Sequence, residues 1–154
     1  MWIFIQNKVV LLPRIERKIG IKTTPDKIFN IVTDRLNTPK WNLTVSAISS
    51  ITDEKTQLET DVGAVTIVNV ETEKNKSAVY HMEKSDMSSI GYIITAKTDN
   101  TEVKIWTEFE NKKLLKLYKK TADRVLVGLK KYAEFIEEGG NPNLYEKSEI
   151  LASL

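Results

Sequence analysis

The feature that most constrains this chain is residues 112–138, which read as one long amphipathic helix. At ~100° per residue, Leu114, Leu115, Tyr118, Ala122, Val125, Leu126, Leu129, Tyr132, Ala133 and Ile136 fall within an arc of roughly 120°. The opposite side carries Lys116, Lys119, Lys120, Asp123, Lys130, Lys131 and Glu134. Asn111 stands where an N-cap belongs, its side-chain oxygen free to accept from a first-turn N–H. Glu138-Gly139-Gly140 followed by Pro142 is a stop. A helix this long with one apolar face needs a broad apolar partner, and the chain before it supplies strands.

Residues 14–23 alternate, with Ile15, Arg17, Ile19 and Ile21 on one face and Glu16, Lys18, Gly20 and Lys22 on the other. Period two with β-branched residues predicts a strand. Thr24-Pro25-Asp26 predicts a helix start: Thr as cap, Pro at the first helical position and an acid in the first turn. Ile28, Phe29, Ile31, Val32 and Leu36 continue it at helical spacing, and Thr38-Pro39-Lys40-Trp41 opens a second, very short helical piece. From 45 to 110 the pattern predicts six strands, near 46–52, 56–61, 64–72, 77–84, 89–97 and 102–110. The third of these has Ile67 and Val68 adjacent, which predicts an interior strand covered on both faces. Short turns such as Thr98-Asp99-Asn100-Thr101 favour an antiparallel meander.

The predicted architecture is therefore α+β: a curved antiparallel sheet of about seven strands wrapped around a long C-terminal helix, with two short helices after the first strand. One helix cannot fill the concave face of such a sheet, so a space remains between them, a natural site for a small molecule. The expected organisation is a strand-like arm over 1–13, one domain over 14–138 and a C-terminal tail over 139–154. The tail is expected to be loose or weakly helical, with Ile150, Leu151 and Leu154 as docking residues.

Local sequence resembles a known family. Ile21-Lys22-Thr23-Thr24-Pro25-Asp26-Lys27-Ile28-Phe29 is similar to a strand leading into a helix through "A-P-x-x-V-[WF]". Asp34 followed by Trp41-Asn42 is similar to "D…W-N", and Asp61-Val62-Gly63 to "x-V-G-x". Residues 101–109 are similar to a last strand "T-x-V-x-W-x-x-x-F", with Ile105 in place of the usual aromatic and Trp106 one position off. Together these resemble the START-like or SRPBCC superfamily, with its helix-grip fold, and within it the polyketide cyclase/dehydrase-like group. The resemblance implies a ligand-binding cavity and leaves the chemistry open, since that superfamily includes lipid carriers, hormone receptors, cyclases and chaperone activators.

The residues expected to bind a ligand are Arg17, Trp41, Tyr80, Met82, Tyr92, Ile94, Ile105, Tyr118 and Val125. Two readings stay open for Arg17: at the sheet margin with its head in water, or inside a wet cavity with a partner, because a buried unpaired guanidinium is very costly. Trp41 is either a core plug or a cavity wall. His81, the one histidine, is expected to face away from the cavity, opposite Tyr80 and Met82. Gly128 interrupts the long helix, for close packing or for a bend. Carriage of a small hydrophobic or amphipathic molecule (lipid-, isoprenoid- or polyketide-like) is the leading reading. The alternatives are a cofactor-free cyclase/dehydratase-type lyase or isomerase, and a protein-interaction module. The last would be a chaperone-activator-like module or a homodimer through the arm (Trp2, Phe4) and an outward-facing Trp106.

Composition excludes several classes. There is no Cys and no glycine-rich phosphate loop, so no metal or nucleotide cofactor is implied. The net charge of +2 gives no argument for nucleic acid. Residues 112–138 carry eight Lys/Arg against four acids. That face reads as solvated, with acidic membrane or nucleic-acid contact the lesser reading. Residues 1–12 are apolar but broken by Gln6, Asn7 and Lys8, too short to span a bilayer and a poor signal peptide. No stable membrane insertion is expected, and a cytoplasmic location is the default.

Overall fold

The computed structural model describes residues 2–5 and 8–153, and for residues 2–10 the backbone alone. The side chains of Trp2 and Phe4, and Leu154, lie outside the described residues. Strands β1 (Trp2–Ile5) and β2 (Lys8–Leu11) form an antiparallel pair of their own. The main sheet holds seven antiparallel strands: β3 (Arg14–Ile21), β4 (Val45–Ile51), β5 (Thr56–Thr60), β6 (Gly63–Glu73), β7 (Ser77–Glu83), β8 (Met87–Ala96) and β9 (Thr101–Phe109). Strands β4 to β9 run as a meander, and β3 pairs with β9, giving the order β3-β9-β8-β7-β6-β5-β4. Helices α1 (Pro25–Thr33) and α2 (Thr38–Trp41) connect the two edge strands, joined by a tight turn over Arg35–Asn37. Helix α3 (Leu115–Glu137) grips the sheet, and a short α4 (Ser148–Ser153) ends the chain.

Each boundary has a local cause. Pro25 occupies the first turn of α1, where its missing N–H costs nothing. Thr24 is extended as an N-cap should be, but its side chain does not bond the helix backbone; its hydroxyl serves the Asp26 carboxylate instead. Asn111 accepts from Lys113 N–H at 3.0 Å, capping the turn Lys112–Leu114 that leads into α3. At the other end Gly139 takes φ +91°, while Gly139 N–H reaches Ile136 O and Gly140 N–H reaches Phe135 O. This is the pair of bonds that closes a Schellman turn.

The inner face of α3 buries Tyr118, Ala122, Val125, Leu126, Leu129, Tyr132 and Ala133. Burying a side chain such as Leu126 or Leu129 contributes about 1.5–3 kcal/mol. Leu115 departs from the expected arc: it is exposed, as is Leu117, while Leu114 and Tyr118 beside it pack on the core. Gly128 serves close packing. A Cβ there would lie 2.5 Å from Trp41 O and 3.0 Å from Leu43 Cγ, so α2 and the chain after it cross α3 at the glycine.

Two further expectations are corrected. Strand β6 is interior by pairing, but Asn69 to Glu73 are exposed on both faces. A register shift between Ile67 and Asn69 makes Val68 an extra residue, so Ile67 (opposite Met82) and Val70 (opposite Tyr80) share one face. The tail takes the weakly helical alternative, over Ser148–Ser153, but it is not loose, and residues beyond those expected hold it. Tyr145 stacks against Tyr132 at 4.9 Å and Phe135 at 5.1 Å between ring centroids. Lys147 Nζ donates to Asn42 O (2.9 Å) and to Val45 O. Ile150 and Leu151 are only half-buried. Among the described residues no helix is long and apolar enough to cross a membrane.

Candidate functional site

The concave face of the sheet is not fully occupied by α3. A cavity of about 90 Å³ remains, walled by β4 to β9, by α3 at Thr121 and Val125, and by the α1–α2 segment at Val32, Arg35, Thr38 and Trp41. The walls alternate by strand geometry. Tyr80 and Met82 point inward from β7 and pair with Val70 and Ile67, whereas His81 points to the convex side and meets Glu71 at 3.2 Å. Most of the wall is aliphatic or aromatic, including Leu58, Val62, Val65 and Ile90. Threonines 38, 44, 56, 60 and 121 add small polar tips.

Six residues singled out from sequence meet in this cavity: Trp41, Tyr80, Met82, Tyr92, Ile105 and Val125. Three do not. Arg17 lies on edge strand β3 with its guanidinium against Asp123 (Nε to Oδ1 3.4 Å) in an open surface groove. It takes the margin alternative because β3 is the last strand of the sheet. Tyr118 is buried, but under the β7–β8 loop. Its hydroxyl donates to Asp86 Oδ2 at 2.9 Å and its ring packs on Phe109 at 4.6 Å. Ile94 is core, outside the cavity wall. Trp41 is both plug and wall: it is 2% exposed and lines the cavity. Its indole N–H is enclosed and has no acceptor among the described residues.

The inward tyrosines are held neutral. Tyr80 packs edge-on against Tyr92, 6.2 Å between centroids, and donates its hydroxyl to Val32 O. Burial, with Asp34 nearby, pushes the Tyr80 phenol up to about 12, and burial raises Tyr92 further. Among the described residues the wall holds no His, Asp or Glu, so no lining side chain has a reference pKa near neutrality. The arrangement can enclose, orient and donate hydrogen bonds.

Arg35 is the residue that sequence reasoning missed, and it is the one charged side chain in the wall among the described residues. Its Nη1 donates to Thr52 O at 2.9 Å and Thr56 Oγ1 at 3.1 Å. It also lines the adjoining outer groove with Ile67, Val70 and Tyr80, so it stands at the mouth. The signal available was its place between inward-facing Val32 and Trp41, but only the fold brings the β4–β5 loop beside it.

Trp106 faces the convex side, as expected. Its ring lies flat enough on Gly91 that a Cβ there would clash at 2.1 Å, and the Arg14 guanidinium stacks over it at 4.3 Å. Arg14 is held in turn by Glu16 and Glu108.

No family model matches the chain, and no curated protein matches it. Solved structures do. A START superfamily protein from Mycobacterium smegmatis aligns with TM-score 0.68 and 14% identity, over 80% of this chain and 98% of its own. The Zhui aromatase/cyclase from a Streptomyces species aligns with TM-score 0.69 and 12% identity, over 85% and 100%. The Aha1 dimer from Colwellia psychrerythraea gives TM-score 0.59 and 19% identity, over 80% and 97%. At such identities the likeness speaks for the fold. The chain has the helix-grip fold of START-like and polyketide cyclase-like proteins, in agreement with its motifs.

Proposed function

We propose that the protein binds a small apolar or amphipathic molecule between the sheet and α3, and acts as a carrier or receptor for it. The observation that carries this reading is the apolar cavity itself, kept open in a core that elsewhere closes to 0% exposure at Ile21, Ile28 and Leu129. Protein interiors otherwise pack to crystal-like density. At about 90 Å³ the cavity is small beside the roughly 300–1,000 Å³ of sites that take drug-sized ligands. A larger occupant therefore has to displace side chains. Met82 and Met87 in the wall are unbranched and adapt at low cost.

The cyclase/dehydratase reading draws support from the likeness to an aromatase/cyclase. It is the weaker one, because a proton-transfer step needs a group that exchanges protons near neutrality, and Tyr80 and Tyr92 are held neutral.

The test is native mass spectrometry of the purified protein, with extraction of any bound compound, alongside titration with the uncharged fluorophore N-phenyl-1-naphthylamine. Wild type is expected to bind the fluorophore with a blue-shifted rise in emission. Val125→Phe, which fills the cavity from α3, is expected to abolish that signal while keeping the thermal transition. An empty wild-type protein that gives no fluorescence response would overturn the reading.

A further inference from the structure

We propose that the molecule held in this cavity ends in a carboxylate, and that Arg35 at the mouth reads it. The inference rests on the cavity reading above and sharpens it to a chemical class.

Three observations converge. First, Arg35 is half-buried and is the one charged residue in an otherwise apolar and hydroxyl-bearing wall, among the described residues. Second, its guanidinium is only partly engaged. Nη1 donates to Thr52 O and Thr56 Oγ1, while the Nε and Nη2 donors have no acceptor, and Arg35 has no ion pair, among the described residues. Third, the Tyr92 hydroxyl in the same wall has no hydrogen-bond partner among the described residues and is free to donate. The nearby acceptor Asn42 Oδ1 is already used by Thr44 N–H (3.0 Å) and Thr44 hydroxyl (2.8 Å). With the Arg35 donors and the Tyr92 hydroxyl free to donate, the wall accommodates a ligand that brings acceptors.

Charge then decides which acceptor. When an apolar body displaces water from the cavity, the guanidinium beside it loses hydration, and an uncompensated cation against an apolar surface is costly. A neutral carbonyl restores one hydrogen bond. A carboxylate restores charge as well, and its two oxygens match the parallel donors of the guanidinium fork. The outer groove carries Asp53, Glu54 and Lys55, the last tied to Glu83 at 2.8 Å. Its exposed acids, Asp53 and Glu54, disfavour an anion in the outer groove away from Arg35.

The experiment is calorimetric titration of the full chain with matched pairs, 2-naphthoate against 2-naphthamide and benzoate against benzamide, in wild type and in Arg35→Gln. Wild type is expected to bind the acid at least tenfold more tightly than its amide. Arg35→Gln is expected to bring the two within about threefold by weakening the acid alone, since a charge-assisted hydrogen bond is worth one to two decades. A purely structural Arg35, bracing the β4–β5 loop, would weaken acid and amide together and leave their ratio unchanged, which overturns the inference. If Arg35→Gln does not fold, the wild-type ratio still decides, because a ratio near one overturns it. A wild type that binds N-phenyl-1-naphthylamine but shows no preference for the acid keeps the cavity reading and loses this inference. A wild type that binds none of the probes loses both.

Discussion

Replacing Gly128 by alanine tests the crossing on which the cavity depends. In an exposed helix the change stabilises by about 1 kcal/mol, because alanine has fewer unfolded conformations than glycine and so loses less backbone entropy. Here the new Cβ would meet Trp41 O at 2.5 Å and Leu43 Cγ at 3.0 Å. Carbon meets a carbonyl oxygen comfortably at about 3.3–3.6 Å, so the overlap is ~0.8 Å or more. The obstacle is backbone on one side and a buried Leu43 side chain, 3% exposed, on the other, so neither yields easily. Overpacking of this kind costs about 1–3 kcal/mol, and contact with a backbone atom places it toward the upper end. Net destabilisation of about 1–2 kcal/mol follows, or a fall in Tm of roughly 2–8 °C for a domain of this size. Urea unfolding followed by circular dichroism at 222 nm, with thermal melts, measures it. The displaced segment carries Trp41 and Asn42 into the cavity wall, so probe affinity should fall as well. A Gly128→Ala variant more stable than wild type would show that α2 and α3 do not touch there.

Other outcomes follow from the same contacts. Asp86→Ala should destabilise by about 1–3 kcal/mol in urea, since Asp86 accepts from Tyr118 (2.9 Å) and Asn111 N–H (3.0 Å) and its loss leaves a buried donor unpaired; a change under 0.5 kcal/mol would remove that role. All five tyrosines have phenols raised by burial, Tyr80 and Tyr145 to about 12. An acid whose pKa is higher in the folded state stabilises fully below its unfolded value near 10 and loses that contribution as pH rises toward 12. Absorbance at 295 nm should therefore rise together with loss of helical signal, and three or more tyrosines ionising near pH 10 in a folded protein would contradict it. Truncation after Gly140 should lower Tm by several degrees by uncovering Tyr132 and Phe135, which Tyr145 covers; an unchanged Tm would show the tail to be idle.

The long helix, the Pro25 start, the glycine stop and the six-strand meander were legible in sequence because each rests on neighbours a few residues apart. Periodicity also placed Tyr80 and Met82 on one face and His81 on the other, since alternation is local. Where two residues meet across the fold, sequence had less to say. The extra residue at Val68 re-aims β6 without any glycine to mark it. Arg17 and Arg35 are both isolated arginines near apolar neighbours. One became a surface ion pair because β3 is an edge strand, and the other a cavity residue because the β4–β5 loop folds back to it. Tyr145 and Lys147 looked like tail until Tyr132, Phe135 and the carbonyls of Asn42 and Val45 came within reach. What the sequence alone determined is the set of elements and which face of each is apolar, because local sterics and hydrophobic period decide those. Which polar groups end up enclosed, and with what partners, was settled only on folding, because burial and pairing belong to residues distant in the chain.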